Sequence, residues 1–249
     1  MADYVRAYYS YREAPAGRVV RRKVPGGCVT VVIGFEQPLL VDGRKHTSFV
    51  TGMHDGPSIT EQAGVQHGLQ IDLTPLGARA LTGVPMHQLT NEVVPLADIP
   101  GRWRTEQLAE TTTSQRRFEL LDALIATRLA DAPTPDPAVA WAYQRLTASR
   151  GRFTISQLVE ETGWTRQHLA ERFRDQVGLT PKVVARVLRF EHAVTLLSAL
   201  PLAEVAAVCG YADQAHLNRE FRDLADCTPR ELALTSSKTP PPASPKLDG

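Results

Sequence analysis

Two stretches near the C-terminus carry residue types able to read a DNA groove, and they repeat one another. ISQLVEETGWTRQHLAERFRDQVGLTP (155–181) and LAEVAAVCGYADQAHLNREFRDLADCTP (202–229) share one plan. Each has an apolar helical pattern, then Gly with an aromatic, then a second helix carrying H-L-x-x-x-F-R, then Thr-Pro. Leu169 matches Leu217, Phe173 matches Phe221, Arg174 matches Arg222 and Thr180-Pro181 matches Thr228-Pro229, all offset by 48. Gly163 and Gly210 are offset by 47, so the second turn is one residue longer. A match over a whole unit is far more specific than any single short motif.

The spacing is that of a helix-turn-helix. Gly163 and Gly210 stand where the first helix must end, and glycine reaches the left-handed conformation needed there. Thr165 and Asp213 stand at the N-cap of the second helix. Leu169/Phe173 and Leu217/Phe221 are i, i+4 pairs that fix that helix to a core. With those faces buried, Gln167, Glu171 and Arg174 point outward in the first unit, and Ala215, Arg219 and Arg222 in the second. Arg166, Ala170, Gln214 and Asn218 flank them. Arg pairs bidentately with guanine and Gln or Asn with adenine. The base-reading candidates are therefore Arg166, Gln167, Ala170, Glu171, Gln214, Ala215, Asn218 and Arg219. Candidates for the DNA backbone are Arg152, Thr165, Arg174, Lys182, Arg186, Asp213 and Arg222, with Arg189 beside them; a merely solvated helix face competes for each basic residue taken singly. Glu171 either accepts from cytosine N4 or pairs with Arg174 or orients Gln167. The second reading carries more weight, because a carboxylate in the phosphate field is unfavourable.

At these residues the chain resembles the AraC/XylS family of transcription activators, whose second-unit signature is matched by VAAVCGYADQAHLNREFRDLADCTPREL (205–232). The resemblance covers roughly 136–234. It implies two helix-turn-helix subdomains joined by a rigid central helix, here Pro181 to about Ser198, entering adjacent major-groove segments of double-stranded DNA. It also implies RNA polymerase as a partner, and an N-terminal regulatory domain that binds an effector, dimerises, or both. The sequence departs from the family pattern at Ala215, Leu217, Glu171 and Asp226, the last standing where a glycine usually precedes the Thr-Pro turn.

The elements that must position these helices read as an α+β chain. Short β-branched runs (RVVRRKV, CVTVVIGF, HTSFVTGM, GLQIDL) from about Arg18 to Pro95, punctuated by Gly and Pro, predict an antiparallel sandwich or, through the resemblance, a cupin-like barrel. PLGARALTG (75–83) predicts one short helix. The expected domains are 1–110, a β-rich regulatory region; 111–130, a connecting helix; 131–137 (DAPTPDP), a linker; 138–234, the double helix-turn-helix; and 235–249, a Pro/Ser-rich disordered tail. Phe118, Leu121, Ile125 and Leu129 share a face. Pairing of that helix across a homodimer and packing on its own β domain stand level.

Bulk charge gives no help: the net is +1, and 136–235 holds twelve basic and twelve acidic residues. Cys28, Cys209 and Cys227 lack C-x-x-C spacing, so no disulfide framework or zinc knuckle is indicated. Cys28 reads as a buried small residue rather than a redox sensor. His46, His54 and His67 do not form an H-x-H pattern with a downstream Glu, and no metal or cofactor is expected. No apolar run reaches membrane length, and a cytoplasmic protein without a membrane partner is expected. No Ser-His-Asp order, metal cluster or phosphate loop supports a barrel enzyme with a helical adaptor. The leading expectation is an effector-responsive DNA-binding regulator and no enzyme; the alternative is a regulator without a small-molecule ligand, controlled by abundance or a protein partner.

Overall fold

The computed structural model describes residues 3–236. Among the described residues, nine strands form two antiparallel sheets. β1 (Val5–Glu13), β8 (Gln66–Leu73), β3 (Val29–Gly34), β6 (Ser48–Thr51) and β9 (Val93–Pro95) lie side by side in that order. The second sheet runs β2 (Val19–Lys23), β7 (Ser58–Gln62), β4 (Leu39–Val41), β5 (Arg44–His46). Period-two alternation assigns the faces. Val29, Val31, Ile33, Leu69, Ile71 and Leu73 bury one face of the five-stranded sheet against the helices. The opposite face meets the four-stranded sheet, where Val32 and Phe49 pack with Val41 and Leu39.

Strand β1 begins thirteen residues upstream of the region whose sequence reads as β. Its pattern, VRAYYSYRE, lacks a β-branched run, and the strand is held instead by tyrosines on both faces and a ladder to β8. The region 1–110, expected to be β-rich with one short helix, contains that helix, α1 (Pro75–Thr82), which Thr74 caps at its N-terminus and Gly83 at its C-terminus, and also α2 (Thr105–Glu110).

The remaining helices are α3 (Ser114–Ala130), α4 (Pro137–Ala148), α5 (Ile155–Thr162), α6 (Arg166–Val177), α7 (Pro181–Leu196), α8 (Leu202–Cys209), α9 (Gln214–Ala225) and α10 (Pro229–Ser236). Helix α3 packs on its own β domain: Leu121 and Ile125 are fully buried in the main core, and Phe118 sits 5.6 Å from the Tyr8 ring. Its outward residues, including Gln115, Glu119, Ala123 and Thr127, are exposed and offer no apolar seam. The irregular stretch between α3 and α4 coincides with the expected linker, yet the core does not divide there. One apolar cluster runs from the β domain through α3 and α4 into the α5–α6 unit and α7, while the α8–α9 unit has a core of its own around Phe190, Leu217 and Phe221. Helix α10 carries ordered backbone to Ser236; the tail beyond it, expected to be disordered, lies outside the described residues.

Candidate nucleic-acid interface

Both units close as their glycines and caps require. Gly163 has φ 69° and Gly210 φ 76°, each ending its helix in the left-handed region. The Thr165 hydroxyl accepts from the His168 N–H at 3.2 Å and the Asp213 carboxylate from the His216 N–H at 2.6 Å. One extra residue, Ala212, lengthens the second turn, as the offset of the glycines predicts. Leu169, Phe173, Leu217 and Phe221 are each fully buried, and the Phe221 ring meets Phe190 of the central helix α7 at 4.7 Å. These anchors fix which face of α6 and α9 looks outward.

On α6 the exposed face carries Arg166, Gln167, Glu171 and Arg174, with Ala170 half-buried. Gln167 Nε2 donates to Glu171 Oε1 at 2.9 Å. The carboxylate therefore orients the amide, and Gln167 retains its carbonyl and one N–H for a base edge. Arg166 donates to Ser156 Oγ at 3.0 Å, which ties it back to α5. On α9, Gln214, Ala215, Arg219 and Arg222 are exposed and Asn218 is half-buried.

Helix α9 also carries Glu220 and Asp223, which would repel phosphate. Arg186 of α7 answers both, donating from Nε to Glu220 at 2.8 Å and from Nη2 to Asp223 at 2.8 Å. Arg186, expected at the DNA backbone, is thus engaged in holding α9 to the central helix and masking two carboxylates. Arg189 is likewise turned inward, donating to the Gly151 carbonyl at 2.9 Å. Lys182 stands exposed at the start of α7. Arg152 lies beside the second unit's turn, its Cγ 3.8 Å from the place a Cβ on Gly210 would occupy. Its neighbour Arg150 bonds the His192 ring on α7. Burial first, then these two arginines, push the His192 pKa down, so the ring stays neutral. Arg150 was not anticipated from the sequence, although the run Arg150-Gly151-Arg152 marks a basic loop between α4 and α5.

The β domain touches both units, unequally. Arg79 of α1 pairs with Asp175 near the end of α6 at 2.9 Å, and Thr90 donates to the Gly178 carbonyl at 2.9 Å. Met86 and Leu89 extend the same contact into the shared core. On α7, Glu191 accepts from the Gly27 N–H at 3.1 Å and lies 3.6 Å from Arg6. The α8–α9 unit is reached at its edge, where Arg22 donates to the Asp226 carbonyl at 3.1 Å and Val24 packs on its core. Asp226 caps α9 at φ 48°, a left-handed geometry normally given to glycine.

Among the described residues, no group of three or more His, Cys, Asp or Glu is arranged to hold a metal. Burial raises the Cys28 thiol to about 11, which makes it unreactive at neutral pH. Among the described residues no helix is long and apolar enough to cross a membrane.

Residues 158–234 match the model of a helix-turn-helix domain, and residues 1–95 match a domain of unknown function, DUF6597. The xylose operon regulatory protein of Escherichia coli K12 is 32% identical over 107 residues, which make up 41% of this chain and 27% of that protein. An uncharacterized HTH-type transcriptional regulator of Bacillus subtilis, YbfI, is 30% identical over 107 residues, 40% of this chain and 39% of its own length. The chain thus spans well under half of either relative. The structure of ToxT from Vibrio cholerae O395 superposes with a TM-score of 0.53 at 10% identity, covering 94% of this chain and all of ToxT, a likeness of fold.

Proposed function

We propose that this chain, through the region that matches the helix-turn-helix model and the xylose operon regulatory protein, binds specific duplex DNA as a transcription regulator, and that a small molecule held in the β domain controls it. The observation carrying the first part is the pair of capped helices, α6 and α9, whose buried Leu and Phe anchors leave polar faces outward. Arg219, Gln214 and Asn218 on α9 and Gln167 on α6 read base edges in the major groove. Arg174, Arg222, Lys182 and Arg152 neutralise phosphates, and the N-termini of α6 and α9, with Thr165 and Asp213 as caps, face the backbone. Glu171 orients Gln167 and reads no base.

The second part rests on the inner faces of the two sheets. One end is filled by Val32, Val41 and Phe49, and taken alone it favours a regulator without a ligand. The other end carries half-buried polar residues, Tyr9, Thr30, Gln70 and Asp72, and adjoins Cys28, the residue after Gly27. Gly27 is bonded to Glu191 of the helix joining the two units, so an occupant there is felt by the DNA-binding region. Such control needs the occupant to prefer one arrangement of the units over another.

Selection of random duplex DNA by the full chain at fixed, near-physiological salt tests the reading. Two informative blocks about one helical turn apart are expected. No enrichment, with or without cell extract as a ligand source, would overturn it.

A further inference from the structure

The polar end of the inter-sheet space has a specific chemistry, and the ligand assigned to it rests on the proposal that the β domain holds an effector. Thr30 Oγ1 and Gln70 Nε2 both donate to the same oxygen of Asp72, Oδ1, at 2.9 Å each. The other carboxylate oxygen has no hydrogen-bond partner among the described residues. Register places these side chains on one inner face: Tyr9 is opposite Gln70, and Thr30 opposite Asp72.

On the facing sheet, Arg21 and Lys23 lie on the same side of β2 by alternation, the side on which Arg21 meets buried Gln62. Arg21 is fully engaged, 2.7 Å from Glu13 and donating to Gln62 Oε1 at 3.0 Å. Lys23 is not: it feels the charges of Asp72 and Glu13, but no carboxylate lies within ion-pair distance among the described residues. Its side chain is exposed to solvent, while desolvation by the surrounding protein and then the Arg21 charge lower its pKa. Farther in, Gln62 is 3% exposed and its Nε2 has no acceptor among the described residues. Native interiors leave few such groups unpaired, and those that remain call for an explanation.

The fixed charges here balance: Arg21 and Lys23 against Glu13 and Asp72. A lone anion would satisfy Lys23 and oppose Asp72, and a lone cation the reverse. We propose that this end of the β domain is the binding site for an α-amino acid, its carboxylate taken by Lys23 and its ammonium by the free oxygen of Asp72. Tyr9 walls the site, and the ligand's side chain points toward Tyr11 and Val32, with the unpaired Gln62 amide beyond. Cys28 interacts with Thr30 and feels the charges of both Asp72 and Glu191, and its neighbour Gly27 is bonded to Glu191, so occupancy is relayed to α7.

Calorimetric titration of the full chain with each of the twenty proteinogenic L-amino acids tests this, with the matching 2-hydroxy acids and decarboxylated amines as controls. At least one amino acid binds, its hydroxy acid and amine bind at least about tenfold more weakly, and Lys23→Met and Asp72→Asn each weaken binding at least about tenfold. Lys23→Met alone decides the matter should Asp72→Asn fail to fold, since Lys23 is solvent-reachable. Binding by none of the twenty, equal binding of a hydroxy acid or amine, or undiminished binding by Lys23→Met overturns the assignment. An amino acid that binds as expected but leaves affinity for selected DNA unchanged upholds the site and sinks the effector reading instead.

Discussion

The two helix-turn-helix units share an almost superimposable sequence plan and differ in what surrounds them. The first is built into the β domain: its core is continuous with the sheets, and Asp175 and Gly178 at the end of α6 are held by Arg79 and Thr90. Its outward face is internally satisfied, with Gln167 bonded to Glu171 and Arg166 to Ser156. The second has its own core and meets the β domain through Arg22 and Val24. Its outward arginines, Arg219 and Arg222, have no ion pair among the described residues, while Arg186 masks the acids beside them. The repeat supplies two helical units with outward polar faces. Packing makes one a fixture of the β domain and leaves the other with two outward arginines that have no ion pair among the described residues.

The sharpest way to break this division is to cut each core. Phe173→Ala and Phe221→Ala remove equivalent, fully buried rings, each costing about 3–5 kcal/mol. If the cores are separate, Phe221→Ala lowers amide-exchange protection in α8 and α9 while β8 keeps its protection. Phe173→Ala lowers protection in α6 and β8 together. Loss of β8 protection in Phe221→Ala would show a single cooperative unit. Next in size, Arg219→Ala should lose about 1–3 kcal/mol of binding to the selected site with the fold intact. Gln167→Ala should lose less, because its amide is already half-spent on Glu171. Fluorescence anisotropy on the selected duplex measures both, and a larger loss at Gln167 would reverse the ranking of the units.

The same division separates what was legible in the sequence from what was not. Caps, turn glycines and i, i+4 anchors are local, and all lie within the repeat; the turn lengths, both N-caps and the outward faces of α6 and α9 were legible there. The five-stranded sheet was legible only where β-branched residues cluster, so the tyrosine-rich β1 went unread. The roles of Arg186 and Arg189 were hidden for another reason. A basic residue on a helix looks the same in sequence whether it faces phosphate or a carboxylate 34 residues away, as Arg186 faces Glu220. The sharing of one core between the β domain and the first unit was hidden too, since it depends on contacts such as Thr90 to Gly178 that carry no periodicity.

Smaller effects refine the electrostatic side of the comparison. Arg186→Ala removes a pair of ion bonds from a partly exposed site, so its direct cost in stability is about 1 kcal/mol or less. It also exposes Glu220 and Asp223 to the phosphates, so DNA affinity should fall by more than thermal stability does. Parallel melting and anisotropy would separate the two, and an unchanged affinity would mean that those carboxylates lie away from the DNA. Lys182→Ala should weaken all sequences alike and flatten the salt dependence by about one unit if it contacts phosphate.

Glu171→Gln is the mildest test and the most telling for the first unit. The glutamine keeps a carbonyl to accept from Gln167 Nε2, so the 2.9 Å bond and the amide's orientation survive. What disappears is one negative charge on the exposed face of α6. If Glu171 serves only to orient Gln167, affinity for every duplex should rise by a few tenths of a kcal/mol, most at low salt, with base preference unchanged. If Glu171 instead accepts from a cytosine, the selected site should lose affinity and its preference at one position should relax. The sign of that change separates a unit that positions the protein from a unit that reads.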